Sequence, residues 1–282
     1  MIKLTFENQI IEADNEANIT IPGSKGGKPI TIETDAKYLW LQLVDIKEKA
    51  IIYIPDGKYE FIIPEGEFAC AFEAGRFERE FVLSAKIPTE EEIHSYRNLA
   101  LNPLDAQTDS EITQFDAELY VNPIDSAAVE NGEIKAFPHI YGNRVTRHEG
   151  SFFARNVIDG ISTPGGHGDY PYHSWGTSQY EDATIIIYFG RKVATDKIRL
   201  ALRSDYKPLP NGVEHDTYWT SVTIEFSDGT EEIIHPVKTG EYQEFSFPEK
   251  IVEWVRLKKL VPERWDNFAS LNQIMIMGKD IQ

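Results

Sequence analysis

The chain has 282 residues, with 46 Asp+Glu against 28 Lys+Arg for a formal charge of −18, and it is 41% hydrophobic and 12% aromatic. That composition is globular rather than disordered or fibrous, and the length suits two domains or one large all-β domain with a sizeable core. The negative balance argues against nucleic acid and anionic membrane as partners, the single cysteine, Cys70, excludes an intrachain disulfide or a Cys-based zinc site, and no apolar run reaches the ~18 residues that span a bilayer.

The opening MIKLTFENQIIEADNEANIT lacks the basic segment and apolar stretch of a secretory signal, so the expectation is a cytoplasmic protein. Residues 1–86 read as a small antiparallel β domain. YLWLQLVD (38–45), AIIYIP (50–55), KYEFIIP (58–64), EFACAF (67–72) and REFVLSAKI (79–87) are rich in β-branched and aromatic residues. Gly23, Gly26 and Gly27 mark 22–28 as a loop. Asp56-Gly57 supplies the positive φ angles of a tight hairpin between two of the runs.

Residues 87–134 read as a helical linker and connector. Thr89 is placed to cap a short helix over 89–97, and Glu90, Glu91 and Glu92 suit the positive end of its dipole. Then 98–134 holds eight acids and no Lys or Arg, among them Asp105, Asp109 and Glu133. A solvated connector, a first strand of the next domain and an acidic docking tail all fit that stretch.

From 135 to 282 the pattern becomes regular. Seven strand-like runs follow: DATIIIYFG (182–190), DKIRLALRSD (196–205), SVTIEFSDG (221–229), EEIIHPV (231–237), YQEFSFP (242–248), IVEWVRLKKL (251–260) and LNQIMIMG (271–278). In DKIRLALR, Ile198, Leu200 and Leu202 share one face, and Lys197, Arg199 and Arg203 share the other. Asp228-Gly229 marks a second hairpin. Many short strands with polar turns point to an all-β sandwich or jelly roll.

Four segments in this order resemble the discoidin-type, galactose-binding-like jelly rolls, which include the coagulation-factor C-type domains and the family 32 carbohydrate-binding modules. ARNVIDGIST (154–163) with SWG (174–176) is similar to their opening. IIIYFGRKVATDKIRLALR (185–203) is similar to their central strands. WVRLKKL (254–260) followed by LNQIMIMG (271–278) is similar to their close, and NLALNP (98–103) to their start, which would move the domain onset to about 97. The resemblance implies a C-terminal galactose-binding-like jelly roll behind a small N-terminal β-sandwich. It also implies a structural calcium held near Asp159, although Gln273 stands where the family's closing motif has a glutamate. It implies that Trp175 packs in the core, an alternative left open beside a ligand role.

Sugar recognition needs an aromatic face for the C–H patch of a ring and planar polar groups for paired hydroxyls, and loops at one end of a sandwich supply both. Two loops have that make-up. One carries His167, Tyr172, His173 and Trp175, and the other runs from Arg203 and Asp205 to His215, Asp216 and Trp219. An Arg203/Asp205 pair at a strand end would suit vicinal hydroxyls. Trp265, between Arg264 and Asp266, is a further exposed aromatic. The leading expectation is non-catalytic binding of a carbohydrate or small polar ligand, with the N-terminal domain as spacer or homo-oligomer surface. A second reading is an enzyme acting on a small sugar or sugar acid through His167, His173, Asp205 and His215, with or without a metal, with Asp205, Glu214 and Asp216 as its acid/base groups. A third is an interaction module whose acidic 98–134 segment docks a basic partner. Cys70 reads as a buried structural thiol.

Overall fold

The computed structural model describes residues 1–24, 26–43, 48–105, 129, 131–177, 179–203, 216–265 and 268–281. The N-terminal half contains strands β1 (Ile2–Phe6), β2 (Gln9–Ala13), β3 (Glu16–Ile21), β4 (Pro29–Thr34), β5 (Tyr38–Leu43), β6 (Ala50–Tyr53), β7 (Lys58–Ile62) and β8 (Phe81–Lys86). They form two four-stranded antiparallel sheets, β2-β1-β4-β7 and β3-β8-β5-β6. The period-two pattern explains the packing. Ala17, Ile19 and Ile21 are buried in β3 while Glu16, Asn18 and Thr20 are exposed. They share a core with Ile2, Leu4, Ile30, Ile32, Leu39, Leu41 and Phe61.

Three expectations for this half need correction. Half of its strands, β1 to β4, lie in the first 34 residues, where the sequence reading named none. EFACAF forms a 3₁₀ turn over Gly66–Ala71 rather than a strand. It has no β-branched residue, and Gly66 enters it at φ 55°. Asp56-Gly57 does make a turn, with Gly57 at φ 67° and its N–H donating to the Ile54 carbonyl at 3.0 Å. The strands it joins belong to different sheets, because β6 pairs with β5 and β7 with β4. The turn is therefore a crossover between layers and not a hairpin.

Helix α1 (Glu90–His94) starts at Thr89 with a capping box: the Glu92 N–H donates to Thr89 Oγ1 at 3.2 Å and the Thr89 N–H to Glu92 Oε2 at 2.8 Å. It is shorter than the sequence suggested, because β9 (Arg97–Asn98) already pairs antiparallel with Met277 and Gly278.

The C-terminal half continues with β10 (His139–Gly142), β11 (Trp175–Gly176), β12 (Ile185–Arg203), β13 (Asp216–Thr217), β14 (Trp219–Phe226), β15 (Glu231–Ile234), β16 (Gln243–Pro262) and β17 (Phe268–Asp280). The path β11-β17-β12-β16-β14-β15 is antiparallel throughout, and β13 lies parallel to β17. The seven sequence runs are five strands. The two runs of 182–205 merge into the 19-residue β12, and those of 242–260 into the 20-residue β16. Bulges between Tyr188 and Val193 and between Thr195 and Lys197 bend β12. Its two ends thereby serve one core, with Ile185, Ile187 and Phe189 from one end and Ile198, Leu200 and Leu202 from the other. Asp228-Gly229 joins β14 to β15 as a hairpin, Gly229 at φ 84°. The protein is all-β, with the short helix α1 between its two halves.

The halves pack directly on each other. Tyr53 and Phe137 exchange backbone hydrogen bonds of 2.8 and 2.9 Å, and the Tyr59 hydroxyl donates to the Leu104 carbonyl at 2.7 Å. Asp280, near the end of β17, accepts from Arg97, Arg191 and the Tyr38 hydroxyl.

Candidate functional site

Alternation at one end of the C-terminal sheet places the site. Leu202, Ala269 and Leu271 face the core, so their neighbours Arg203, Phe268 and Ser270 face the other way. Arg203 and Ser270 are register partners across β12 and β17. Together with Phe268 they border an open, shallow depression, completed by Thr146, Arg147, Phe152 and His167. His167 and Arg147 are exposed at its rim, whereas the Arg203 side chain is buried.

The far wall is built by 3₁₀ turns at Thr146–His148 and Gly150–Phe152. Arg147 and His148 both take left-handed backbone, φ 53° and 54°. That conformation costs an L-residue roughly 1–2 kcal/mol, so packing must hold it. Arg147 forms a fork with Glu149 at 2.7 and 2.8 Å and lies over the Phe152 ring at 5.2 Å. Its hydrogen bonds and charge hold the Glu149 carboxyl below the ordinary range, and the same pairing raises Arg147 above its own.

The N-terminal half buttresses both loops of the site through its turn at Gly66–Ala71. The Gly150 N–H donates to Glu67 Oε2 at 2.7 Å, and Phe68 meets Phe153 at 5.5 Å between ring centroids. The Tyr170 N–H donates to the Cys70 carbonyl at 2.9 Å, and the Ser151 hydroxyl donates to Asp169. Burial, then the Asp169 and Glu67 charges, push the Cys70 thiol up, so no thiolate nucleophile is prepared there. Gly150 has no alternative, since a Cβ would overlap the Glu67 carbonyl. Gly150→Ala should therefore cost about 1–3 kcal/mol in urea unfolding and make the 146–153 segment more sensitive to limited proteolysis. Unchanged stability would contradict the buttress.

Of the sequence-predicted residues, His167 and Arg203 come together in this depression. Tyr172 is exposed but stands apart, its ring filling the space beside Gly166. His173 is buried, its Nε2 2.6 Å from Asp159 Oδ2 and its ring stacked on Tyr170. Trp175 and Trp219 are core residues with centroids 5.9 Å apart, and Trp175 Nε1 donates to the Arg144 carbonyl at 2.8 Å. Neither offers an open face to a ligand in the first depression. Trp219 instead lines a second shallow one, together with the exposed rings of Trp265 and Tyr180. Asp205, His215 and the Asp216 side chain fall outside the described residues, as do Glu214 and most of the acidic segment.

For the enzyme reading, the structure separates His167, at an exposed rim, from His173, buried on Asp159. Among the described residues no group of three or more His, Cys, Asp or Glu is placed to hold a metal. The calcium implied near Asp159 does not fit its surroundings. Asp159 Oδ1 accepts from the Ile161 N–H at 2.9 Å and Gln273 Nε2 at 2.8 Å, and Oδ2 faces His173 Nε2 and, at 3.7 Å, Arg155 Nη1. These are hydrogen-bond donors, whereas a calcium shell needs oxygen acceptors.

Thr146, Arg147, Phe152, Phe268 and Ser270 were missed by the sequence reading. Phe268 and Ser270 carried a usable signal, because they alternate with the core residues Ala269 and Leu271. The 146–152 wall carried none, since its position depends on contacts with residues 67–70.

No family model matches the sequence, and no curated protein matches it. Solved structures do. Chitosan-binding module 1 of a Paenibacillus sp. IK-5 chitosanase/glucanase is 16% identical, covering 65% of this chain and 100% of that one, at a TM-score of 0.39. A family 32 carbohydrate-binding module from C. perfringens NanJ, in complex with galactose, is 15% identical over 49% of this chain and 91% of that one, at 0.36. A chain of the Streptococcus pneumoniae β-galactosidase BgaA is 15% identical over 51% and 93%, at 0.40. What this chain is similar to, at low identity and partial overlap, is a set of carbohydrate-binding modules and carbohydrate-active proteins.

Proposed function

We propose that the protein is a non-catalytic carbohydrate-binding protein whose site is the depression between Arg203, His167, Phe152 and Phe268. The observation that carries this reading is the convergence of two aromatic rings, two arginines, a histidine and two hydroxyl residues on one open hollow. The half-buried Phe268 ring matches the apolar face of a pyranose, with Phe152 buried behind Arg147 as part of the wall, and the guanidinium and imidazole groups match its vicinal hydroxyls. The described lining contains no Asp or Glu, the residues a glycosidase pair requires. A shallow, wet site of this kind binds weakly, because each polar group must give up water.

Titration calorimetry against a panel of neutral, amino and acidic mono- and oligosaccharides tests the reading. At least one sugar should bind, and Phe268→Ala should weaken it at least tenfold, a loss of about 1.4 kcal/mol or more, while leaving the melting temperature within a few degrees. A panel with no binder, or a Phe268→Ala variant of full affinity, would contradict it.

A further inference from the structure

The turn at Asp159 and Gly160 is held closed by a side chain 114 residues further along the chain. Gln273 Nε2 donates to two acceptors, the Asn156 carbonyl at 2.8 Å and Asp159 Oδ1 at 2.8 Å, and Gln273 Oε1 accepts from the Gly160 N–H at 3.1 Å. Only this orientation of the carboxamide works, because a flipped amide would set its oxygen against two oxygens and its NH₂ against an N–H. Gln273 and Asp159 are 1% and 2% exposed, so these groups have no water to fall back on.

A carbonyl and a carboxylate oxygen that converge in a buried place need positive charge density between them. We propose that the Gln273 carboxamide supplies it, doing the work of a bound cation, so that this turn is locked without metal and the charge at residue 273 sets whether it needs one. The remaining partners of Asp159 agree with this, since Ile161, His173 and Arg155 all present N–H groups. Glutamate at 273 would keep the acceptor for Gly160. It would also put an oxygen where Nε2 now stands, against the Asn156 and Asp159 oxygens, so that three oxygens converge with no donor between them and a cation with water completing its shell would be needed to reconcile them.

Thermal unfolding of the whole chain, in chelator and in millimolar calcium, tests this independently of any sugar. Wild-type protein should melt within 1 °C in both. Gln273→Glu should melt at least several degrees lower in chelator and recover most of that loss in calcium, whereas Gln273→Met should be destabilised equally in both. Terbium luminescence should show binding to Gln273→Glu and none to wild type at this site. A wild-type melting temperature that falls on chelation would overturn the proposal. So would a Gln273→Glu variant that is as stable as wild type in chelator, or one that calcium does not rescue, including one that is unfolded in both buffers.

Discussion

Replacing Arg155 with methionine should lower the unfolding free energy by about 3–5 kcal/mol, because it breaks a buried charged network and leaves its partners unmatched. Arg155 is 3% exposed. Its Nε donates to the Asp105 carbonyl at 3.0 Å, its Nη2 to the Pro103 carbonyl at 2.8 Å, and its guanidinium lies 5.0 Å over the Phe72 ring of the N-terminal half. Nη1 faces Asp159, which also holds His173. The carboxylate of that same Asp105, whose backbone carbonyl Arg155 uses, faces His139 Nδ1 at 2.8 Å and accepts from the Ile140 N–H at 3.1 Å. One guanidinium thus joins the start of the C-terminal sheet, the Asp159 turn and the N-terminal core. Urea unfolding measures the loss. A change under 1 kcal/mol would show that the network contributes little beyond the packing around it.

Asp280→Asn should cost about 3 kcal/mol at neutral pH, and the cost should vanish in acid. Asp280 is 3% exposed and accepts from both Arg97 and Arg191, which also lies over the Tyr38 and Tyr53 rings. Burial opposes its ionisation. The hydrogen bonds and charges of Arg191 and Arg97 outweigh that, and the carboxyl sits below its ordinary value of 3.8. A depressed folded value gives stability that is present above the unfolded value and lost as pH falls through the folded one. The wild-type and Asp280→Asn stabilities should therefore differ at pH 7 and converge below pH 3.8. A gap that stays constant from neutral to acid pH would contradict the ion-pair account. The same environment pushes the Tyr38 hydroxyl up to about 12, chiefly by burial, so it acts as a donor to Asp280 across the working pH range.

The β-class of the chain was legible because its strongest runs alternate. Ile198, Leu200 and Leu202 could be assigned to a core from spacing alone, and all three are buried. Merged strands were not legible, because a bulge such as that between Tyr188 and Val193 breaks the period of two and reads as a gap between strands. Asp56-Gly57 shows the limit of turn chemistry. Its residues fix a local φ, but which sheet each flanking strand joins depends on long-range pairing.

For the site, the sequence showed which side chains could bind a sugar but not which of them face solvent. Trp175 and Trp219 have the right chemistry and are core residues, whereas Phe268 looks like a core residue and is half-buried at the edge of the hollow. His167 and Arg203 are 36 positions apart in sequence, and they meet because β11, which follows the His167 loop, and β12, which ends at Arg203, flank the same stretch of β17.

The most direct measurement is a backbone amide chemical-shift titration with whichever sugar binds best in the calorimetric panel. The account predicts that the largest shifts fall on Thr146–Phe152, His167, Arg203 and Phe268–Ser270. Shifts confined to the Trp265 and Tyr180 hollow, or to the N-terminal sheets away from residues 66–71, would contradict it.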